Sequence, residues 1–358
     1  MPALTDGYGN AASVHRAGQR ARRMVERARE QVAEALGARP RQIYFTSGAT
    51  EADNQALRGV LEGGRGGLVT SRLEHAAVLS TARALREGGT PVGYVASDER
   101  GHVDLDALDE ALADAPDTRL VALMAVNNET GVLTDVGRAA EVAHRHGALL
   151  FCDAVQAFGL EALDVRQLGV DLLAISAHKI FGPKGAGALY VAEGVEVRPL
   201  LYGGEQERGL RPGTHATPAI VGLGEAAARA ASERAVRYEA VRSARDAFEI
   251  AATRVPGVAV NGGGAPRSVK HSNLRVDGVD GESLLMALDD LGVAASAGSA
   301  CSAGSLEPSH VLMAMGLSAA QAKASVRFSF APSVSETDAL DGAERFAQAV
   351  ARCRGAAT

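Results

Sequence analysis

Lys179 sits in the segment Ser176-Ala177-His178-Lys179-Ile180-Phe181-Gly182-Pro183-Lys184-Gly185, between an apolar run from Val170 to Ile175 and a second from Ala188 to Val191. A strand that delivers Ser, His and Lys into a turn rich in Gly and Pro makes a poor core and a good site, because such residues let the backbone reverse tightly. A lysine there can hold a cofactor aldehyde as a Schiff base if its amine loses a proton. Desolvation by the flanking strands and positive charge on His178 both favour that loss. An isolated Lys in a turn is usually a solvated charge, and the apolar run on each side weighs against that reading here.

Other residues fall at similar places. Asp153 and Gln156 follow the apolar run ending at Cys152. A carboxylate at such a strand end is costly to bury alone, and it can hold the proton of a pyridine nitrogen so that the ring accepts electrons. His75 follows a short strand and opens a helical pattern, where it either stacks on a ring and moves protons or caps the helix. Asn127 and Asn128 follow the strand Val121 to Val126 and either bind a ring hydroxyl or substrate carboxylate or form a turn. In Thr46-Ser47-Gly48-Ala49-Thr50-Glu51 a strand opens through Gly and hydroxyl residues into a helix. This is a phosphate-binding pattern, equally open to the reading that Ser47 or Thr50 merely caps the helix.

Two further residues stand in the C-terminal part. Cys301 lies in the run of small residues from Ala294 to Ser305, which offers little apolar surface to bury. A thiol on such an arm suits a nucleophile or a sulfur carrier acting as its thiolate. Cys152, within a strand, reads instead as a small buried hydrophobe. Arg327 is a charge inside the apolar strand Val326 to Phe330, either paired with a buried carboxylate or awaiting one on a substrate.

The elements that must position these residues alternate. Strand patterns at 43–45, 68–70, 92–95, 120–126, 148–152, 172–175 and 188–191 are separated for the most part by helical ones, at 13–36, 49–61, 76–85, 105–112 and 136–146. That order predicts an α/β fold with a mainly parallel sheet covered by helices, its ligands beyond the strand C-termini. Residues 1–12 read as irregular and are expected near a smaller domain. A long helical region from Pro218 to Arg254 contains the expected boundary, giving a large domain over 1–235 and an α+β domain over 236–358. In the latter, strands at 272–276 and 326–330 and helices at 282–291, at 310–315 and from about Ser335 are expected.

Composition sets outer limits. With 358 residues and 46 % apolar content the chain can bury a large core, and a net charge of −6 argues against a nucleic-acid or anionic-membrane binder. No apolar run reaches the roughly 18 residues of a membrane span, so a cytoplasmic location is expected. Three cysteines, irregularly spaced, form neither a disulfide framework nor a metal site.

The ordered set of motifs resembles the cysteine desulfurases, pyridoxal-phosphate (PLP) enzymes of fold type I, in the branch with a long catalytic-cysteine loop. Matching segments are Tyr8-Gly9-Asn10, 46–51, Glu74-His75-Ala76-Ala77-Val78, Asn127-Asn128-Glu129, Asp153-Ala154-Val155-Gln156, Ser176-Ala177-His178-Lys179, Arg211-Pro212-Gly213-Thr214, Gly298-Ser299-Ala300-Cys301 leading to Leu306-Glu307-Pro308-Ser309, and Arg327. The resemblance implies that Lys179 carries PLP, Asp153 faces the pyridine nitrogen, Gln156 the ring hydroxyl, and His75 the ring. It assigns Ala49 to cofactor binding, Thr50, Ser176 and His178 to the phosphate, and Thr214 to the phosphate of a neighbouring subunit, hence a homodimer. Asn128 and Arg327 would hold the substrate carboxylate, and Cys301 would take sulfur from L-cysteine, giving L-alanine and a persulfide for an acceptor protein.

The pattern departs from the family in three places. Its usual opening strand and turn, of the type Tyr-Leu-Asp-Asn-Ala-Ala-Thr-Thr, is absent ahead of Tyr8; either the natural start lies upstream or something else fills that part of the pocket wall. Pro212 replaces a usual Ser, and Ala331-Pro332 follows the Arg327 strand. Two alternative readings stay open: a selenocysteine lyase-like enzyme in which Cys301 is dispensable, and a catalytically impaired scaffold in sulfur transfer. The acceptor is open among iron–sulfur assembly, tRNA thiolation, DNA sulfur modification and biosynthesis.

Overall fold

The computed structural model describes residues 2–64, 66–297 and 307–355. In its first half run α1 (Pro2–Thr5), α2 (Arg16–Leu36), β1 (Ile43–Thr46), α3 (Ala49–Leu61), β2 (Gly67–Ser71), α4 (Ala76–Glu87), β3 (Val92–Val95), α5 (Leu105–Asp114), β4 (Thr118–Met124), α6 (Val136–Arg145), β5 (Leu149–Asp153), α7 (Val165–Leu168), β6 (Leu172–Ser176) and β7 (Gly187–Val191). Then come α8 (Thr217–Ser232), α9 (Arg234–Ala252), β8 (Val258–Val260), β9 (His271–Val276), α10 (Gly281–Asp290), β10 (Ser296–Ala297), α11 (His310–Ala314), α12 (Ala319–Lys323), β11 (Ser325–Ser329) and α13 (Glu336–Gly355). Among the described residues no helix is long and apolar enough to cross a membrane.

Contacts divide the chain into two compact units, one of 1–95, 105–125 and 135–234, the other of 96–104, 126–134 and 235–358. The first unit holds a seven-stranded sheet in the order β1-β7-β6-β5-β4-β2-β3. Strands β3, β2, β4, β5 and β6 pair in parallel, each joined through a helix. Between Ser176 and Gly187 the chain makes only a short 3-10 turn and a Gly-Pro reversal, too little for a crossover helix, so β7 returns antiparallel to β6 with Ser176 opposite Gly187. β1 then pairs antiparallel with β7 and so runs with the rest. Gly187 is required where it stands: a Cβ there would lie 2.8 Å from Gly48 Cα and 2.8 Å from the Ile175 carbonyl oxygen.

Strands β2, β6 and β7 are buried along their whole length, as expected for a sheet covered on both faces. Ala52, Ala56, Leu57, Val60 and Leu61 of α3 pack over Leu120, Phe151, Leu172 and Leu189. Helix α2 starts later than its apolar spacing suggests, because His15 caps it by accepting the Gly18 N–H through Nδ1 at 3.2 Å. The opening residues, irregular by sequence, include the single turn α1, which packs on α8.

The second unit holds an antiparallel sheet in the order β10-β11-β9-β8. Phe248 of α9, Phe328 of β11 and Phe346 of α13, with Phe330, form an aromatic core with ring centroids 4.6 to 6.2 Å apart. The single helical region read between Pro218 and Arg254 is two helices, broken at Glu233. Strand β8 escapes a periodicity reading because only three half-buried residues stand between Gly257 and the glycines at 262–264.

One buried ion pair secures the outer edge of β1. Glu207 accepts both terminal nitrogens of Arg29, at 2.7 and 2.8 Å, the Phe45 N–H at 2.8 Å, and His215 Nε2 at 2.7 Å. Glu207 and Arg208 adopt left-handed φ values of 48° and 57°, a strain that these contacts hold in place. Burial alone would raise the Glu207 pKa, but Arg29 and His215 outweigh it and bring it down to about 2. Glu207→Gln should cost about 3 kcal/mol at neutral pH, since it leaves buried Arg29 with only the half-exposed Glu26 as counter-charge. A carboxylate with a lowered pKa stabilises above its unfolded value of 4.5, and that share is lost as pH falls toward 2. Denaturant titration across this acid range should therefore show a shallower loss for the variant; an unchanged slope would remove Glu207 from the account.

Candidate active site

All same-direction strands of the first unit end at one edge of the sheet, and the candidate residues follow those ends. Thr46, Ser71, Asp153 and Ser176 close β1, β2, β5 and β6. After β6 the turn Ala177–Ile180 carries His178 and half-buried Lys179, and it closes with Phe181 at a left-handed φ of 67°. Ser176 Oγ and His178 Nδ1 are 2.8 Å apart.

Asp153 is 7 % exposed, and its Oδ1 accepts the Val155 N–H at 3.0 Å. Burial pushes its pKa up, while the Val155 N–H and the nearby His75 and Lys179 pull it down; the net direction is up. Lys179, His75 and Asp153 therefore share one electrostatic neighbourhood, as their positions at the strand ends predict. Gln156 is also buried, in the turn that follows β5. His75 caps α4 by accepting the Ala77 N–H on Nδ1 at 3.1 Å. Capping and chemistry are compatible, because an acceptor Nδ1 leaves the proton of a neutral imidazole on Nε2.

At β1 the chain passes through Ser47 and Gly48 into α3, whose first turn, with Ala49 and Thr50, presents backbone N–H groups at the helix end. Thr50 is exposed, and with His75, Asn54 and Thr81 it lines a groove of about 410 Å³ between α3 and α4. A larger cleft of about 670 Å³, lined by Arg58, Pro91 and Asp117 among others, touches no candidate residue. Thr214 is exposed on the loop that follows Glu207.

Asn128 and Arg327 are in the second unit. The chain leaves β4 at Met124 and turns through 126–134, where Asn127 Oδ1 accepts the N–H groups of Glu129 and Thr130 at 2.9 and 3.0 Å. Asn127 is thus the turn-forming member of the pair. Arg327, on β11, donates from Nη1 to the Asn128 carbonyl oxygen at 2.8 Å. Asn128 Oδ1 is buried with no hydrogen-bond partner among the described residues. Arg327 also lies in the field of buried Glu129, which takes the Ser309 hydroxyl at 2.5 Å. Cys301 lies outside the described residues.

Besides Glu207, three further buried carboxyls among the described residues were not singled out by sequence. Asp53 and Glu74 are each 1 % exposed and interact with Asp153, and Glu129 is fully buried. Desolvation drives the Asp53 and Glu74 pKa values up, that of Glu74 to about 8 although Ser71 and the Met124 backbone donate to it. Asp53 was legible: it shares the apolar face of α3 with Ala56, Leu57 and Val60, where a charge is out of place. Cys152 beside them is fully buried, and burial raises its thiol pKa as well.

The class-V aminotransferase family model matches residues 1–340. A cysteine desulfurase IscS from Methylococcus capsulatus is 45 % identical over 335 residues, covering 92 % of this chain and 82 % of that protein. The chain belongs to the cysteine desulfurase branch of the class-V aminotransferases. Among solved structures of this fold, a NifS-like protein superposes with a TM-score of 0.90 at 32 % identity, over 98 % of this chain and 94 % of that one. SspA in complex with cysteine superposes with a TM-score of 0.82 at 35 % identity, covering 92 % and 93 %.

Cysteine desulfurases and their class-V relatives depend on PLP. The residues present fit that group. A protonated ring nitrogen set against Asp153 would relieve the burial that raises its pKa, Lys179 offers an amine to the aldehyde, and the first turn of α3 with Ser176 and His178 suits a phosphate.

Glu74 provides a test of the buried carboxyls. Between its unfolded value of 4.5 and its folded value of about 8 the folded protein holds a proton that the unfolded chain does not, so this group's contribution falls as pH rises through that window. Glu74→Gln, which mimics the neutral acid, should flatten the fall in apoprotein melting temperature between about pH 6 and about pH 9. Parallel slopes for the two proteins would show that Glu74 is ionised in the fold.

Proposed function

We propose that the chain converts L-cysteine to L-alanine and carries the sulfur as a persulfide on Cys301. Membership in the cysteine desulfurase branch carries this reading, and the cysteine complex of its structural relative supports the substrate. Bound PLP supplies an aldehyde for the substrate amine and an electron sink for the carbanion at its Cα.

The chain's own residues divide the remaining work. Asp153 would hold the ring-nitrogen proton from its buried strand end, Gln156 would bind the ring hydroxyl, and His75 would lie by the ring. Ala49, Thr50, Ser176 and His178 hold the phosphate, with His178 oriented by its contact to Ser176. Thr214, exposed on its loop, reaches the phosphate of a second subunit in a homodimer. Lys179 would hold the aldehyde and is the amine at hand to move the substrate Cα proton; His75 moves protons through Nε2, since its Nδ1 is engaged by the Ala77 N–H.

Asn128 and Arg327 orient the substrate carboxylate, Arg327 with a guanidinium already steadied by the Asn128 carbonyl. The Cys301 thiolate attacks the substrate sulfur, the carbon–sulfur bond breaks, and a proton returns to carbon. One cysteine and one enzyme thiol thereby become one alanine and one persulfide. The persulfide passes to an acceptor protein, and a thiolate nucleophile suits a reducing cytoplasm.

With L-cysteine and a reductant, alanine and sulfide should form in equal amounts. Cys301→Ala should abolish both while leaving the PLP absorbance, and Lys179→Ala should remove that absorbance. Turnover of selenocysteine by Cys301→Ala, with no cysteine turnover by the parent, would favour the lyase reading. A bound chromophore with no alanine at all would favour the scaffold.

A further inference from the structure

The anion-facing end of α3 carries a negative charge of its own. Glu51 stands in its first turn and reaches back to Ser47, accepting the backbone N–H at 2.9 Å and the hydroxyl on the same oxygen, Oε2. That contact shapes the turn from β1 into α3. It also places a carboxylate, only 15 % exposed at its side chain, beside the N–H groups that are to receive a phosphate. An unpaired charge there would oppose a dianion through a medium that screens poorly.

Arg211 cancels it. Its Nε donates to Glu51 Oε1 at 2.8 Å and its Nη2 to Oε2 at 3.4 Å. Burial favours the neutral acid, yet Arg211 and Ser47 together keep Glu51 ionised with its pKa below the usual range. The arginine is delivered by a loop closed at its base: Glu207 and His215 are joined at 2.7 Å, and the Gly213 N–H donates to Gln206 Oε1 at 3.0 Å. The Arg29–Glu207 pair anchors that clasp to α2, so Arg211 is held in place from both ends.

We propose that Arg211 is a positioning residue for the cofactor phosphate: by pairing with Glu51 it keeps the Ser47–Thr50 turn shaped by Glu51 without letting that carboxylate repel the phosphate. It touches neither cofactor nor substrate in this scheme. The inference rests on the reading of Ala49 and Thr50 as phosphate ligands given above.

The test compares PLP with pyridoxal, which has the aldehyde and ring but no phosphate, by absorbance titration of the full-length apoprotein. Arg211→Gln should weaken PLP about tenfold or more, while pyridoxal changes less than about twofold. Adding Glu51→Gln should restore most of the PLP affinity, because the repelling charge is then gone; such recovery is a coupling that a merely structural Arg211 would not give. Arg211→Lys keeps the charge, is expected to retain the PLP preference, and serves should Arg211→Gln fail to fold. Equal losses for both ligands, no loss, or no recovery in the double variant would each overturn the proposal. Thr50→Ala separates the two levels. If it too spares the PLP preference, the phosphate reading itself fails; if it removes the preference while Arg211→Gln does not, only the role of Arg211 fails.

Discussion

Negative charge taken out of water at the ends of strands is the constraint on which the first unit depends. Asp153 closes β5 almost fully buried, with Asp53 and Glu74 within its field. Three carboxylates cannot all ionise in such a place, and desolvation raises the pKa of each. Positive charge must be supplied if Asp153 is to act as an anion, and the Lys179 ammonium is the group brought to it. The turn that directly follows β6, the neighbour of β5, puts Lys179 there.

The same logic recurs wherever the fold hides a carboxylate, with a different answer each time. Glu207 meets Arg29 and is held ionised, which keeps a strained turn in place along the edge of β1. Glu51 meets Arg211 and stays ionised at the start of α3. Glu129, in the second unit, is pushed toward neutrality by burial despite the Ser309 hydroxyl and the charges of His310 and Arg327. Whether a buried acid is a structural anchor or a proton holder follows from whether an arginine reaches it with its planar fork.

The second unit is ordered by contacts of its own. Its segment 126–134, although it follows directly from β4, is organised by Asn127 as a turn and by contacts to β9 and Ser309. That turn sets Asn128 against Arg327, so two residues far apart in the chain present one polar surface. Placing Asn127 and Asn128 among the strand-end residues by sequence was correct in position, but the unit to which they belong follows from packing.

Sequence by itself determined the α/β order, the run of apolar strands, the Lys179 turn and the ordered motifs that identify the family, because each is written in neighbouring residues and in periods of two or 3.6. Boundaries shifted where a side chain captured a backbone group, as His15 does at α2. Only the tertiary structure decided the state of the acids and the residues that tie the site together. Arg29 and Glu207 are 178 positions apart, Arg211 and Glu51 are 160, and Ser309 and Glu129 are 180. A carboxylate reads the same in sequence whether it is solvated, paired or neutral; its charge is set by water lost and by a partner that no local pattern names.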